Sequence, residues 1–136
     1  MRQSGKKAYC TYCSKKKRKA PTLLPAIKLY DSDRIRKIYR RARNAKVEFL
    51  ILSGEYGLLS PSDEIPYYDH LLSQEEVGGL IEKVTVQLKR LDINGITYFT
   101  GPWPASVAVR PYLDTIAAAC GRLGVSFTLE ILSETK

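Results

Sequence analysis

The sequence predicts an α/β domain, a single three-layer sandwich around a largely parallel sheet of four or five strands, Rossmann-like or flavodoxin-like in type. Three observations carry that expectation. Strand-like and helix-like segments alternate along the chain, an order that favours strand–helix–strand crossovers and parallel pairing. The clearest strand, residues 47–52 (VEFLIL), is apolar at nearly every position, as in a strand covered on both faces. Two longer segments carry apolar residues at helical spacing.

The elements follow in order. Residues 7–13 (KAYCTYC) form a first strand rich in β-prone aromatics and run into a basic loop, 14–19. Residues 20–30, with Pro21 and Pro25, read as an irregular connection. Ser32 or Asp31 caps a first helix whose inward stripe is Ile35, Ile38, Tyr39 and Ala42. Its outward face is a basic ridge of Arg34, Arg36, Lys37, Arg40, Arg41 and Arg43. The strand 47–52 stops at Ser53-Gly54-Glu55-Tyr56-Gly57, and a proline-bearing loop, 58–72, follows. A second helix runs over 73–91, opened by a Ser73/Glu76 capping box and buried along Val77, Leu80, Ile81, Val84, Leu88 and Leu91. Gly78-Gly79 weakens its start by about 2 kcal/mol, so its first turns are expected to fray. Residues 96–100 (ITYFT) form a third strand that breaks at Gly101-Pro102-Trp103-Pro104, with Trp103 expected to cap the core. A third helix begins near Pro104 or Pro111 and stops at Gly124, a residue suited to the left-handed end of a helix. Residues 126–132 (SFTLEIL) form the last strand, and no segment repeats another.

At 136 residues and 44% hydrophobic composition, the chain is long enough for one domain with one core. No stretch approaches the roughly 18 apolar residues of a membrane span, and the N-terminus lacks the apolar segment of a secretion signal. Three cysteines are too few for a disulfide scaffold and fit a reducing cytoplasm. The formal charge of +8 is unevenly placed: residues 1–46 carry +14 and residues 47–136 carry −6. That asymmetry points to a polyanionic partner, nucleic acid or a phosphorylated nucleotide, and not to a membrane.

In an open parallel sheet, ligands bind beyond the carboxyl ends of the strands, where the strand order reverses. Three predicted strands end in small hydrogen-bonding residues: Cys13-Ser14-Lys15, Ser53-Gly54-Glu55 and Thr100-Gly101. A shared pocket built from those exits is the candidate ligand site. Glycines at 54 and 57 let backbone approach a ligand, Tyr56 offers a ring to a planar base, and Glu55 offers an acid/base group. Tyr68, Asp69 and His70 lie in a loop able to fold over the strand ends. Cys13, at a strand exit beside lysines, is a candidate nucleophile; Glu55 and Asp69 are the other candidate catalytic groups. Lys15, Lys16, Lys17, Arg18 and Lys19, with Arg36, Arg40 and Arg43 of the first helix, are candidate nucleic-acid contacts. Tyrosines interleaved with these charges suit single-stranded or looped RNA better than duplex. No cofactor motif is evident. Zinc is not expected, because Cys10 and Cys13 form a lone C-x-x-C and would point to opposite faces of a strand.

Several of these residues fall into a recognisable pattern: Cys13-Ser14-Lys15-Lys16-Lys17, Leu29-Tyr30-x-Ser32, Leu50-Ile51-Leu52-Ser53-Gly54-Glu55-Tyr56-Gly57-Leu58-Leu59, and Pro66-Tyr67-Tyr68-Asp69 with Leu72. The pattern, over roughly residues 8–75, resembles a family of small uncharacterised α/β proteins carried by prokaryotes and their phages. More distantly, the Cys-Ser-Lys turn followed by Tyr-x-Ser is similar to the core domain of archaeosine synthase, which modifies a deazaguanine base in transfer RNA. Where the small family usually has Ala-Lys or Ala-His, Gly54-Glu55 stands here. The resemblance implies pocket residues at Cys13, Ser14, Lys15, Tyr30, Ser32, Ser53, Glu55, Tyr56, Gly57, Tyr68 and Asp69. Together with Gly54, Thr100 and Gly101, these define the expected site of a nucleobase- or nucleotide-recognising domain in nucleic-acid metabolism or modification. The rival expectation is a non-catalytic basic module that binds nucleic acid.

Overall fold

A computed structural model describes residues 5–101 and 107–132. Its central sheet holds β1 (Lys6–Tyr12), β3 (Glu48–Ser53), β4 (Gly57–Leu59), β6 (Ile93–Thr100) and β7 (Ser126–Ile131), in the order β4-β3-β1-β6-β7. β3, β1, β6 and β7 run parallel, and β4 returns antiparallel along the edge of β3. Among the parallel strands the chain therefore visits position two, then one, then three, then four. That is the flavodoxin-like winding, with its switch point between β1 and β6.

Helix α2 (Asp33–Ala45) covers β1 and β3 on one face. Helices α3 (Val77–Arg90) and α4 (Arg110–Leu123) pack on each other across the opposite face, as right-handed crossovers to either side of β1 require. The expected α/β sandwich with a five-stranded, mostly parallel sheet is the observed one.

Local sequence explains where each helix begins and ends. Ser32 Oγ accepts the Ile35 N–H and caps α2, whose stripe of Ile35, Ile38 and Ala42 is buried. Burying each isoleucine contributes about 2 kcal/mol. The Ser73/Glu76 capping box forms ahead of α3, closing a short 3₁₀ turn (Gln74–Glu76). α3 is helical straight through Gly78 and Gly79, both exposed in open space. Gly124, left-handed at φ 69°, stops α4.

Three expectations need correction. The stretch 20–30 is not wholly irregular: it contains β2 (Leu24–Pro25) and a helical turn, α1 (Ala26–Leu29). Pro25 sits at φ −56°, already set for a helix start, and Ala26 and Ile27 donate their N–H groups to Asp63 O and Pro61 O. The stretch 58–72 is not one loop. Gly57, at φ 77°, turns the chain back so that the apolar β4 pairs with β3, and β5 (Glu64–Ile65) pairs with β2. Gln87 on α3 holds that turn, accepting from Leu58 N at 2.7 Å and donating to Tyr56 O at 3.1 Å. Finally, β6 starts three residues earlier than expected, because Asn94-Gly95 continues the strand. Of the Gly101-Pro102-Trp103-Pro104 break, only Gly101 lies among the described residues. Trp103 and a helix start at Pro104 lie outside them; the helix seen there is preceded by a 3₁₀ turn, Val107–Val109.

A cationic cavity at the strand switch point

The parallel strands β3, β1 and β6 bring Ser53, Ser14 and Gly101 to the same edge of the sheet. At the switch point that edge holds a cavity of about 390 Å³, within the range of small-molecule sites. One wall comes from the exit of β1: Tyr12, Cys13, Ser14, Lys15 and Lys17. Arg34 of α2 enters from one side, Asp69, His70 and Leu71 from the loop before α3, and Ala108, Val109 and Tyr112 from the start of α4.

Arg34 is the residue that sequence periodicity misplaced. It was expected on the solvent ridge of the first helix, yet it lies half-buried across the end of β1. Its Nη1 donates to Thr11 Oγ1 at 2.6 Å and Tyr12 O at 2.8 Å, and its Nη2 to Cys13 O at 3.3 Å. The guanidinium carbon stands 3.7 Å from the centre of the Tyr12 ring. All these partners are neutral: among the described residues Arg34 has no carboxylate. Burial accordingly pulls its pKa below the ordinary arginine value, although the group keeps its charge. Among the described residues this cation is held only by neutral oxygens and a ring.

Cys13 and Ser14 at the cavity wall are engaged. Cys13 donates its S–H to Tyr112 Oη at 3.7 Å, and the same oxygen accepts the Leu72 N–H at 3.2 Å. Ser14 Oγ donates to Lys16 O at 2.7 Å and closes the turn after β1. On the sheet face shared with Cys10 and Tyr12, the Tyr98 hydroxyl is fully buried and has no hydrogen-bond partner among the described residues. Burial, with Cys10 beside it, keeps that phenol protonated.

His70 ties the loop down. Its Nδ1 lies 2.5 Å from Glu55 Oε1 and its Nε2 2.8 Å from Glu76 Oε2. Both partners are acceptors, so both ring nitrogens donate and the ring is an imidazolium. The bonds to Glu55 and Glu76 raise its pKa above the usual 6.5. The Ser73 backbone, His70 and the Ser73 hydroxyl together depress Glu76 to about 2. A raised histidine stabilises below its unfolded pKa and is lost as pH climbs through the folded one. A depressed carboxylate stabilises above its unfolded pKa and is lost as pH falls. The latch therefore holds best between about pH 4.5 and 6.5, loosening above that window as His70 deprotonates and below it as Glu76 is protonated. The His70 ring proton should titrate in NMR with a midpoint above 6.5, and Glu55→Gln should lower it. A wild-type midpoint at or below 6.5 would contradict the latch.

Of the sequence-predicted site residues, Cys13, Ser14, Lys15, Lys17 and Asp69 line the cavity, and a Cβ on Gly101 would sit 3.7 Å from Tyr12 Oη. Asp69 has no ion-pair partner among the described residues. The others lie elsewhere. Glu55 approaches the cavity only through His70. Ser32 is occupied as the α2 cap, and Thr100 is buried in β6. Ser53 is fully buried; its Oγ accepts the Glu55 and Tyr56 N–H groups, both at 3.0 Å, and bonds Tyr68 Oη at 2.8 Å. Tyr68 Oη in turn bonds the buried Tyr30 Oη. Tyr56 meets Tyr68 edge to face instead of facing a ligand. Gly54 lies under Leu72, where a Cβ would come within 3.1 Å, and Gly57 faces α3. Cys10 is enclosed beside Cys120, burial pushes both thiols up, and no cluster of three metal-ligating groups occurs among the described residues. Arg34 and Tyr112 were missed as cavity residues. The only signal for Arg34 was its place four residues ahead of the buried Ile38.

Fold and site together define a doubly wound α/β domain with a cationic cavity at its switch point. Residues 10–101 match a family described as a family of unknown function, DUF6884, and the chain belongs to that family. The matched span includes β1 from Cys10, Arg34 and the His70 loop; the α4 wall of the cavity lies beyond it. No curated protein and no solved structure matches the chain.

Proposed function

We propose that this domain recognises a nucleotide, free or as a unit of nucleic acid, in the switch-point cavity and acts in nucleic-acid metabolism or modification. The observation that carries the reading is the half-buried Arg34 guanidinium, which has no carboxylate partner among the described residues and is flanked by Lys15 and Lys17. A phosphate there would supply the missing negative charge in a place where charge-assisted bonds are strong. Tyr12, Tyr112, Val109 and Leu71 offer the apolar surface a base needs. Asp69 offers a carboxylate to ring N–H donors, the edge that guanine-like bases present. A base in transfer RNA is the narrowest form of this reading; it rests on the Cys13-Ser14-Lys15 and Tyr30-x-Ser32 pattern of the sequence alone.

The second reading, a binding module without catalysis, is favoured by one observation: Glu55 and His70 are engaged with each other, and Cys13 faces a phenol and no base. Calorimetry separates recognition from mere charge. Guanosine 5′-monophosphate should bind, guanosine should bind at least roughly tenfold more weakly, and Lys15→Ala/Lys17→Ala should weaken the nucleotide by a similar factor, about 1.4 kcal/mol. Equal affinities for nucleotide and nucleoside, or no binding of either, would remove the proposal.

A further inference from the structure

The basic loop after β1 is not a loose tail of lysines. Lys17 bridges to Tyr30 in antiparallel fashion, with Arg18 N–H donating to Leu29 O at 2.8 Å and Asp31 N–H to Lys16 O at 3.0 Å. Residues 16–18 are thus an extended strap, and side chains of an extended segment alternate sides. Lys15 and Lys17 face the switch-point cavity, with Lys17 Nζ 4.6 Å from the centre of the Tyr68 ring. Lys16 and Arg18 face the other way: Lys16 pairs with Asp31 at 3.6 Å, and Arg18 Nε donates to Lys28 O at 3.0 Å.

On that other side lies an open groove of about 530 Å³ between α1 and α2. Its floor is Leu24, Ile27 and Tyr39; its rim is Arg18, Lys28, Arg36 and Arg40. Arg36 is partly neutralised by Asp31 at 3.4 Å and Asp33 at 2.7 Å. Lys28 and Arg40 have no acidic partner among the described residues, so the groove keeps a positive excess. A cationic rim around an apolar and aromatic floor is the chemistry that tracks a single strand, with phosphates outside and bases inside. A duplex would present phosphates but no base faces to that floor.

We propose that this groove is a second site, which holds the backbone of single-stranded RNA on its way over the strap to the cavity. The cavity end of the path rests on the nucleotide reading above; the groove does not.

The test uses a fluorescein-labelled ten-residue oligouridylate, guanosine 5′-monophosphate, a ten-base-pair duplex and polyglutamate. Lys28→Ala/Arg40→Ala should bind the oligonucleotide at least tenfold more weakly, and its log–log salt slope should shrink by about 1.4, two single-strand phosphate contacts. Both residues are exposed, and the single variants should each account for about half of that change. Binding of the mononucleotide should not move. An unchanged oligonucleotide affinity and slope would overturn the groove, as would a duplex or polyglutamate competing as well as the single strand. If the mononucleotide fails to bind wild type while the oligonucleotide still depends on Lys28 and Arg40, the cavity reading falls and the groove stands.

Discussion

Arg34→Met is expected to leave the domain folded, within about 2 kcal/mol of wild-type stability, and to weaken binding of an anionic ligand at least roughly thirtyfold. Two opposing terms set the stability. Methionine gives up three charge-assisted hydrogen bonds to Thr11, Tyr12 and Cys13, each contributing on the order of 1.5–3 kcal/mol. It also removes the penalty for holding an unpaired charge out of water, several kcal/mol for one ion. The two nearly cancel, and the Tyr12 and Cys13 carbonyls lie at the cavity wall. Affinity has no such compensation. Removing one partner of a buried charge pair costs about 2–5 kcal/mol, or roughly thirtyfold to several thousandfold. Arg34→Lys tests the same point if the methionine variant proves unstable. An ammonium keeps the charge but cannot span three acceptors, so binding should fall by about tenfold. A variant that binds like wild type would show that Arg34 only ties α2 to the end of β1.

Ser53→Ala should have the largest effect on stability without a ligand, about 3 kcal/mol by chemical denaturation. Its single oxygen serves two backbone N–H groups of the turn from β3 into β4 and the phenol of Tyr68, from the loop beyond β5. Alanine leaves these donors partly unsatisfied, and each buried orphan costs about 1–3 kcal/mol. The chain Ser53–Tyr68–Tyr30 joins the β3 exit to the segment before α2, so the damage should spread there too. Tyr68→Phe should lose less, because the two N–H groups keep their acceptor. Equal stability of Ser53→Ala and wild type would return Ser53 to the exposed site role that its motif suggested.

These residues also show what was legible before the fold was known. The periodic stripe Ile35, Ile38 and Ala42, the apolar run ending at Leu52 and the Ser73/Glu76 box are local signals, and local signals sufficed for the three long helices, the four parallel strands and the fold class, but not for α1 or the short strands. Arg34 was misjudged because periodicity gives an angle around a helix axis but not what stands opposite its first turn. There the carbonyls of Tyr12 and Cys13 face the helix, so a position at the stripe's border is internal. Ser53-Gly54-Glu55-Tyr56-Gly57 misled in the opposite sense. Its small and polar residues suit a ligand loop and a tight hairpin equally, and the choice depends on partners far away, Gln87 on α3 and Tyr68. The two faces of the strap were hidden for the same reason, since a run of five cations shows no alternation until Tyr30 pairs with Lys17.

The central claim is that the Arg34 charge is held for an anion at the β1–β6 switch point. A crystal structure with guanosine 5′-monophosphate tests it most directly. The account predicts the phosphate within hydrogen-bond distance of Arg34, with Lys15 or Lys17 beside it and the base against Tyr112 and Asp69. A nucleotide bound elsewhere, or a cavity that closes on Arg34 with a carboxylate of the chain itself, would contradict it.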